Sequence, residues 1–434
     1  MVPIAIVGGG ISGLSAAYYL AKAGVSSTLI EKRPRLGGVI QTERIDECLV
    51  EGGPDSFLSA KPWAMDLIRD VGLEREVIGS NDHLRKTFIR KHGRLIELPN
   101  IKIAPILATP LLSWTTKAKM ALEYFRRPPA TPRPDCSVSE FVLDHYGQEV
   151  VDYLAEPLLA GVYGGTPETL SVASVLPRFV ELESKYGSLS KGLLAERKSS
   201  AQPTFRTLKN GLGSLVEALQ SKANILHGEV ETIERTPGGY RLRVSGDWLT
   251  AGRVALACES HASAALVRGI DPVLAQELSK IPYTSSTVIA MAFKPQPLKG
   301  FGFLVPRKER RHIVACTFMG TKFPFRAPEN RFLVRCFVQD AGVGGILEEL
   351  RDLTGLRGDP LFTRTYPWPQ SMAQYLVGHN ATISAIQARL SEISGLYLTG
   401  NAYYGVGIPD CIRGARQLAE NVTLSSNGPS DAKY

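Results

Sequence analysis

The 434-residue chain lacks several features that would assign it to a familiar class of protein. Its six cysteines are scattered without a C-x-x-C pair, and its seven histidines show no metal-ligand spacing, so we expect reduced thiols and no bound metal. No uninterrupted apolar run reaches the ~20 residues needed to cross a bilayer. No stripe of basic and aromatic residues appears either, which argues against nucleic acid as a partner.

Length and charge narrow the class further. A chain of 434 residues exceeds the size of a single core, about 250–300 residues, so two or three packed units are expected. The net charge of +8 favours anionic partners. The first apolar run begins at Ile4 and leaves little room for a targeting segment, so we expect the protein to stay in the cytoplasm. Residues 426–434 are polar and are expected to form a flexible tail.

The strongest local pattern lies at the amino terminus. A strand over Val2–Val7, a helix over Ser12–Ala23 and a strand over Ser27–Glu31 surround a G-x-G-x-x-G turn. In such a turn the glycines permit a tight bend, close approach to a pyrophosphate and close helix packing, and the helix amides face the phosphates. The carboxylate of Glu31 can accept hydrogen bonds from ribose hydroxyls. The predicted nucleotide-binding residues are Gly8, Gly9, Gly10, Ile11, Ser12, Gly13 and Glu31.

The remaining pattern predicts a mixed α/β fold in which helices and strands alternate unevenly. We expect a helix from about 61 to 76, a hairpin over 87–98, mostly helix over 101–200, strands over 225–233, 240–244, 253–257 and 287–339, helices over 346–353 and 381–390, and a strand over 396–399 before a helix over 410–421. Nucleotide-binding signatures at both ends require a discontinuous Rossmann-like domain. The predicted units are 1–85, 205–280 and 385–425 for the nucleotide, 86–100 and 281–384 for a β-rich substrate domain, and 101–204 for a helical domain facing a cavity or membrane.

A second glycine turn follows Glu31 and distinguishes FAD from NAD binding. The chain continues with Arg35-Leu36-Gly37-Gly38 and later Gly53-Pro54-Asp55-Ser56, and here it resembles the superfamily of flavin-dependent amine oxidases and porphyrinogen oxidases. In that superfamily an R-x-G-G turn passes close to the flavin's phosphoribityl chain. The resemblance implies FAD contacts at Lys32, Arg35, Gly37, Gly38, Val39, Gly53, Pro54, Asp55 and Ser56.

The carboxyl-terminal segment resembles the porphyrinogen oxidases more narrowly. Its G-V-x-[IV]-x-D-C-I pattern ends at Ile412, and the resemblance implies FAD contacts at Gly400, Val406, Gly407 and Ile408, with Val230 on the adenine side. We expect Asp410 to cap the last helix, whose positive end would stabilise negative charge on the reduced flavin. Cys411 could be a covalent tether, but a packed helix residue is favoured, so the FAD is expected to be non-covalent.

A third match lies at Glu156–Gly165, which resembles an element lining the substrate cavity of porphyrinogen oxidases. Glycines at 161 and 164 would let backbone carbonyls approach pyrrole N–H groups, although a glycine-rich helix end would look the same. The resemblance places Leu304, Thr317 and Phe337 at ring-sandwiching positions, where plain sheet core is an equal alternative. The usual propionate-binding arginine after Leu98-Pro99 is missing. Candidate substitutes are Lys61 and Lys102, and a solvated surface position is the alternative for either.

The resemblance implies an FAD- and oxygen-dependent six-electron oxidation of coproporphyrinogen III to coproporphyrin III in haem biosynthesis, releasing hydrogen peroxide. Flavin N5 carries the chemistry, so no catalytic side chain is expected. The alternatives are protoporphyrinogen IX as substrate, an amine oxidase, a carotenoid desaturase, or a non-catalytic flavin or porphyrin carrier. Ferrochelatase or another haem-pathway enzyme, a homodimer and peripheral contact with the inner face of the cell membrane stay open as partners. Such contact would use the apolar run 103–114, flanked by Lys102, Lys117 and Lys119.

Overall fold

The computed structural model describes residues 1–99, 103–196, 203–338 and 342–426. Lys102 and residues 427–434 lie outside the described residues, so the proposed propionate contact at Lys102 and the flexible tail stay predictions. Strands and helices are both abundant, which confirms the mixed α/β class. No helix within the described ranges combines the length and apolarity needed to span a membrane.

Secondary-structure elements follow one another in short runs along the chain. The strands are β1 Val2–Val7, β2 Ser27–Glu31, β3 Thr42–Ile45, β4 Cys48–Glu51, β5 Phe57–Leu58, β6 Val77–Gly79, β7 Thr87–Lys91, β8 Arg94–Glu97, β9 Phe205–Leu208, β10 Ile225–His227, β11 Val230–Thr236, β12 Gly239–Val244, β13 Asp247–Leu256, β14 Tyr283–Phe293, β15 Gly302–Leu304, β16 Ile313–Phe318, β17 Phe332–Val338, β18 Phe362–Ala373 and β19 Leu396–Leu398. The helices are α1 Ile11–Lys22, α2 Trp63–Asp70, α3 Ile103–Ala108, α4 Trp114–Glu123, α5 Val138–Tyr146, α6 Gln148–Val150, α7 Glu156–Tyr163, α8 Val172–Val175, α9 Pro177–Tyr186, α10 Leu189–Ala195, α11 Gly213–Gln220, α12 Ser260–Val267, α13 Pro272–Ser279, α14 Met319–Lys322, α15 Val343–Thr354, α16 His379–Ser391 and α17 Ile408–Ser426.

The first sheet has a parallel centre in the order β10-β2-β1-β13-β19, and β12 and β11 extend it antiparallel from the first half of β13. Its central strand is buried on both faces. Ile4 and Ile6 pack with α1, α2, α11 and α17, whereas Ala5 and Val7 pack on the side of α12 and α13. The carboxyl ends of β1, β2, β13 and β19 therefore meet at one edge, where open α/β sheets bind their ligands.

The second sheet runs in the order β18-β14-β17-β16-β15-β7-β8. One face packs on α15 through an apolar cluster that includes Phe303, Phe318 and Ile346. The opposite face is only partly covered and lies against α7. A π-helical turn at Val151–Ala155 leads into α7, and Pro157 at its start lacks the N–H of a regular helix.

Several local predictions are confirmed, and others are wrong for identifiable reasons. The hairpin of β7 and β8 turns at His92 and Gly93 as predicted. The helix predicted over 61–76 spans only Trp63–Asp70, because Gly72 with φ of +85° ends it. Strand β18 was missed because it contains Pro367 and Pro369. It lies at the edge of the second sheet, where a residue without a backbone N–H is tolerated.

Three further expectations need correction. Helix α17 begins at Ile408, so Asp410 lies inside its first turn and does not cap it. The predicted domain boundary between residues 384 and 385 falls within α16. This helix is held to the start of α13 by an ion pair between Arg389 and Asp271. Lys117 is buried and donates to the carbonyls of Leu107 and Thr109, so it is not a free flanking charge for lipid.

Candidate functional site

The glycine turn between β1 and α1 lies at the carboxyl edge of the first sheet. Gly8 has φ of +109°, and a Cβ on Gly13 would lie 1.9 Å from the carbonyl oxygen of Gly8, so no larger residue fits there. A Cβ on Gly9 would meet Leu36 at 2.4 Å. These glycines are required by the packing of the protein itself.

Gly10 differs from its neighbours because its side is open. A Cβ there would have Gly38 as its nearest neighbour, at 3.9 Å. Gly10 also precedes α1 without a side-chain cap, so the first amides of the helix, at Ile11 and Ser12, have no capping side chain. An uncapped helix N-terminus beside an open glycine surface is a cradle for phosphate oxygens.

Glu31 ends β2 beside this cradle. Its carboxylate accepts hydrogen bonds from the backbone N–H of Gly9 at 2.6 Å and of Arg33 at 2.8 Å. The side chain is thereby held at the edge where a ribose would lie. The neighbouring Lys32 faces Glu229 at 3.8 Å, and Val230 is buried at the start of β11.

Arg35 builds the second glycine turn. Its guanidinium donates to the carbonyls of Gly38 at 2.5 Å, Ile40 at 2.6 Å and Leu36 at 2.9 Å. Gly37 bonds to the carbonyl of Gly9 at 2.8 Å, which places the second turn against the first. Arg35 therefore shapes the turn rather than reaching outward from it.

The segment after β4 is fixed to the second sheet through buried charges. The carboxylate of Asp55 accepts hydrogen bonds from Lys322 at 2.8 and 3.0 Å and lies 3.3 Å from Arg335, which also donates to the carbonyl of Gly53. Burial alone would raise the pKa of Asp55, but the Lys322 and Arg335 charges outweigh burial and hold the pKa well below its usual range. Sequence reasoning missed both cations because their spacing to Asp55 exceeds 250 residues.

The last helix approaches the same edge from the other side. Asp410 is buried and pairs with Lys61 at 2.5 Å, and a Cβ on Gly405 would lie 2.6 Å from its carboxyl carbon. The structure thus places Lys61 against a carboxylate of the protein. Cys411 is buried in α17, and burial raises its pKa to about 11, as is typical of an inert packed thiol.

The face of the second sheet opposite α15 brings the predicted ring-contacting residues together. Leu304 pairs with Ala315, which pairs with Phe337, and Thr317 lies two residues further along β16. Because side chains alternate along strands, Leu304, Thr317 and Phe337 share one face, and all three are half-buried. A Cβ on Gly161 of α7 would touch Leu304 at 3.6 Å, so α7 covers this face.

The glycines of the α7 segment have different reasons to be glycine. Gly164 ends α7 in the left-handed conformation, with φ of +60°. A Cβ on Gly165 would lie 2.1 Å from the side-chain oxygen of Gln374. Of these three glycines, only Gly161 could take a Cβ without a close contact or backbone strain. Glu156 accepts from the backbone N–H of Arg307 and from the guanidinium of Arg310, both at 2.9 Å, and so ties α7 to the second sheet.

One group in the helical region could offer ligands to a metal ion. Asp144, His145 and Glu183 bring their ligand atoms within 4.8 Å of one another. Arg133 forms ion pairs of 2.6 Å with both carboxylates and supplies the positive charge there. The absence of a bound metal stays a prediction.

Comparison with known proteins gives a consistent result. Residues 11–423 match the family described as flavin containing amine oxidoreductase. The coproporphyrinogen III oxidase of Bacillus subtilis is 32% identical over 94% of this chain and 95% of its own, and protoporphyrinogen oxidase 1 of Spinacia oleracea is 29% identical over 96% and 83%. A solved structure from Exiguobacterium sp. 255-15, described provisionally as a protoporphyrinogen oxidase, superposes with a TM-score of 0.88 at 30% identity over 98% and 99% of the two chains.

The chain belongs to the flavin-containing amine oxidoreductase family. Its cofactor is FAD, and the open surface at Gly10, the uncapped start of α1 and the held carboxylate of Glu31 fit a dinucleotide. Cyclohexylamine oxidase of Brevibacterium oxydans shares the fold, with a TM-score of 0.74 at 16% identity over 98% of this chain and 99% of its own.

Proposed function

We propose that this flavoenzyme oxidises coproporphyrinogen III to coproporphyrin III and uses dioxygen as the electron acceptor. The observation that carries the proposal is the half-buried face of Leu304, Thr317 and Phe337, which α7 covers. Strand β17, which carries Phe337, also carries Arg335, and Arg335 donates a hydrogen bond to the carbonyl of Gly53 in a segment predicted to bind FAD. Coproporphyrinogen III oxidases from three bacteria, at 29–32% identity over nearly the whole chain, support the assignment.

The role of the protein's own residues is to position the porphyrinogen. Leu304 and Phe337 offer apolar surface to a flat macrocycle, and the small residue at Gly161 lets the α7 backbone approach it. FAD, when bound, takes up the electron pairs of the porphyrinogen and passes them to dioxygen. Three such two-electron steps with loss of protons convert the substrate to the porphyrin and yield three molecules of hydrogen peroxide.

Charge favours the tetracarboxylate over the dicarboxylate substrate. The net charge of +8 attracts an anion, and the attraction grows with the number of its carboxylates, although salt screens it beyond about 8–10 Å. Protoporphyrinogen IX is the alternative substrate, because two plant relatives at 29% identity are named protoporphyrinogen oxidase.

Turnover of both porphyrinogens tests the proposal. Porphyrin fluorescence and peroxide release should rise together, with a higher kcat/KM for coproporphyrinogen III. A higher kcat/KM for protoporphyrinogen IX would overturn the substrate, and oxidation of neither would overturn the enzyme class. Acid precipitation should leave yellow FAD in the supernatant, because Cys411 is buried within α17 and its pKa is raised.

We also infer that a surface of the helical region contacts membrane lipid. Trp114, Leu122 and Phe125 along and after α4 are 73%, 71% and 78% exposed. Exposed aromatic and aliphatic side chains on one short helix suit the interface of a bilayer, and the positive net charge suits an anionic one. Flotation with anionic liposomes should carry the protein upward and should fail for Trp114→Ser with Phe125→Ser. Equal flotation of both forms would contradict this contact.

A further inference from the structure

Gln374, the residue after β18, binds the end of α7 through its side-chain amide. Its amide nitrogen donates to the carbonyls of Tyr163 at 2.6 Å and Met372 at 3.1 Å and to the hydroxyl of Thr284 at 3.0 Å. The side chain is buried, and its oxygen occupies the space that a Cβ on Gly165 would need. The end of the substrate-facing helix is thus fixed to the strand that begins at Tyr283.

The next residue, Tyr375, holds the loop before α17. Its hydroxyl donates to the carbonyl of Asn401 at 2.6 Å and accepts from the N–H of Gly405 at 2.8 Å. Its ring stacks on His379, with centroids 4.1 Å apart and an interplanar angle of 11°, and is buried. One hydroxyl therefore closes both ends of the loop that leads to Val406.

These two adjacent side chains connect segments that lie about 240 positions apart in the sequence, α7 and the loop over 401–405. Neither side chain belongs to the glycine turns. Their bonds to Tyr163, Asn401 and Gly405 end on backbone atoms, so they constrain the path of the chain at both segments. Since buried hydrogen bonds to backbone have defined directions, the pair limits how far the two segments can move apart.

We propose that Gln374 and Tyr375 are positioning residues that set the separation between bound porphyrinogen and FAD. This inference rests on the proposed function. The rate of reaction between two bound molecules depends steeply on the distance between their reacting atoms, and a displacement near 1 Å lowers the rate about a hundredfold. A hydroxyl that touches neither partner can control the rate by fixing the loop that touches the cofactor.

Tyr375→Phe tests the proposal because it keeps the stacked ring and removes only the hydroxyl. In the FAD-bound enzyme, the anaerobic rate of flavin reduction at saturating coproporphyrinogen III should fall about ten- to a hundredfold. The FAD content and the apparent KM should stay near wild type, because the substitution replaces no residue predicted to contact FAD or the substrate. Hydrogen exchange at the Gly405 N–H should become about fivefold faster, as expected for the loss of one hydrogen bond.

Tyr240→Phe is the matched control. Tyr240 is also a buried tyrosine whose hydroxyl donates to a carbonyl, that of Ser394 at 2.5 Å, but β12 reaches the first sheet at the end opposite the glycine turn. Tyr375→Phe loses two buried hydrogen bonds and Tyr240→Phe loses one, so both variants should lose thermal stability, with the larger loss in Tyr375→Phe. Only Tyr375→Phe should slow flavin reduction and speed exchange at Gly405.

A second variant, Gln374→Met, releases the α7 end while keeping an unbranched side chain of similar length. If Gln374 and Tyr375 act together in holding α7 and the loop, their effects should not be independent. The variant that combines Gln374→Met with Tyr375→Phe should then slow flavin reduction by a factor smaller than the product of the two single factors. Equal rates in wild type and both single variants would overturn the proposal. Faster Gly405 exchange without any oxidation of porphyrinogen by wild type would instead overturn the proposed function and leave the loop contact standing.

Discussion

The cofactor side and the substrate side of the site are built in different ways. On the cofactor side, contacts within the two glycine turns join residues close in sequence, such as Gly13 with Gly8 and Arg35 with Gly38, and Gly10 leaves an open surface between them. On the substrate side, Leu304 and Phe337 come from different strands and remain half-buried beneath α7. The first surface is shaped by tight backbone turns, whereas the second consists of apolar side chains that the protein covers only in part.

The largest contrast should appear between two glycines three residues apart. Gly13→Ala places a Cβ 1.9 Å from the Gly8 carbonyl oxygen, so the turn must move, with a loss of about 1–3 kcal/mol in the free energy of unfolding. Gly10→Val places its side chain in open space and should give a folded protein without FAD. The ratio of FAD to protein and urea unfolding measure both effects.

Gly344→Ala serves as the control for these variants, since no atom lies within 4 Å of its added Cβ. It should keep FAD and should not lower stability, because alanine favours a helix more than glycine does. A fully FAD-loaded Gly10→Val protein would show that the open surface is not the phosphate cradle. Glu31→Lys should likewise give apoprotein, because a cation there cannot accept the ribose hydrogen bonds.

A loss of stability without a change in backbone shape should come from the charged contact between the two sides. Asp55→Asn leaves Lys322 and Arg335 buried without their carboxylate, and we expect a loss of about 3–5 kcal/mol in the free energy of unfolding. Asp359→Asn, in a surface pair with Arg351 in which Asp359 is 89% exposed, should cost less than about 1 kcal/mol. Equal losses would mean that the buried cluster does not join the two sides.

The same cluster predicts a pH dependence. The pKa of Asp55 in the folded protein lies below its unfolded value of about 3.9, so its stabilising effect is complete well above that value. The effect is lost as the pH falls through about 4 toward the depressed folded pKa. The stability difference between wild type and Asp55→Asn should therefore shrink from pH 7 to pH 3 in urea titrations. A constant difference would contradict the depressed pKa.

A smaller effect separates two roles of Lys61. Because Lys61 pairs with the buried Asp410, Lys61→Met should leave a less compensated negative charge near FAD and lower the midpoint potential of the flavin. The KM for coproporphyrinogen III should change little. If Lys61 instead holds a propionate, KM should rise several-fold, less so in high salt, and the potential should stay constant.

Sequence reasoning reached the parts of the site whose signals are local. The strand, glycine turn and helix at Val2–Lys22 follow from short-range periodicity and turn chemistry, as does the hairpin at His92. Arg335 was missed as a site residue because its partner Gly53 lies 282 positions away. Tyr375 was missed because its hydrogen bonds to Asn401 and Gly405 depend on the path of the loop before α17, which no local pattern indicates. Asp410 was placed at a helix cap because its preference for that position is strong, but its pairing with Lys61 depends on tertiary packing.

A single anaerobic turnover tests the central claim, that porphyrinogen on the face of Leu304 and Phe337 reduces FAD at the glycine turn. Mixing the oxygen-free, FAD-loaded enzyme with excess coproporphyrinogen III should bleach the visible flavin absorption while oxidised tetrapyrrole forms, and admitting dioxygen should restore the flavin colour. Leu304→Lys, which places a charge on the proposed ring-binding face, should weaken the bleaching without loss of FAD. Flavin that stays oxidised with both porphyrinogens, in protein carrying full FAD, would contradict the account.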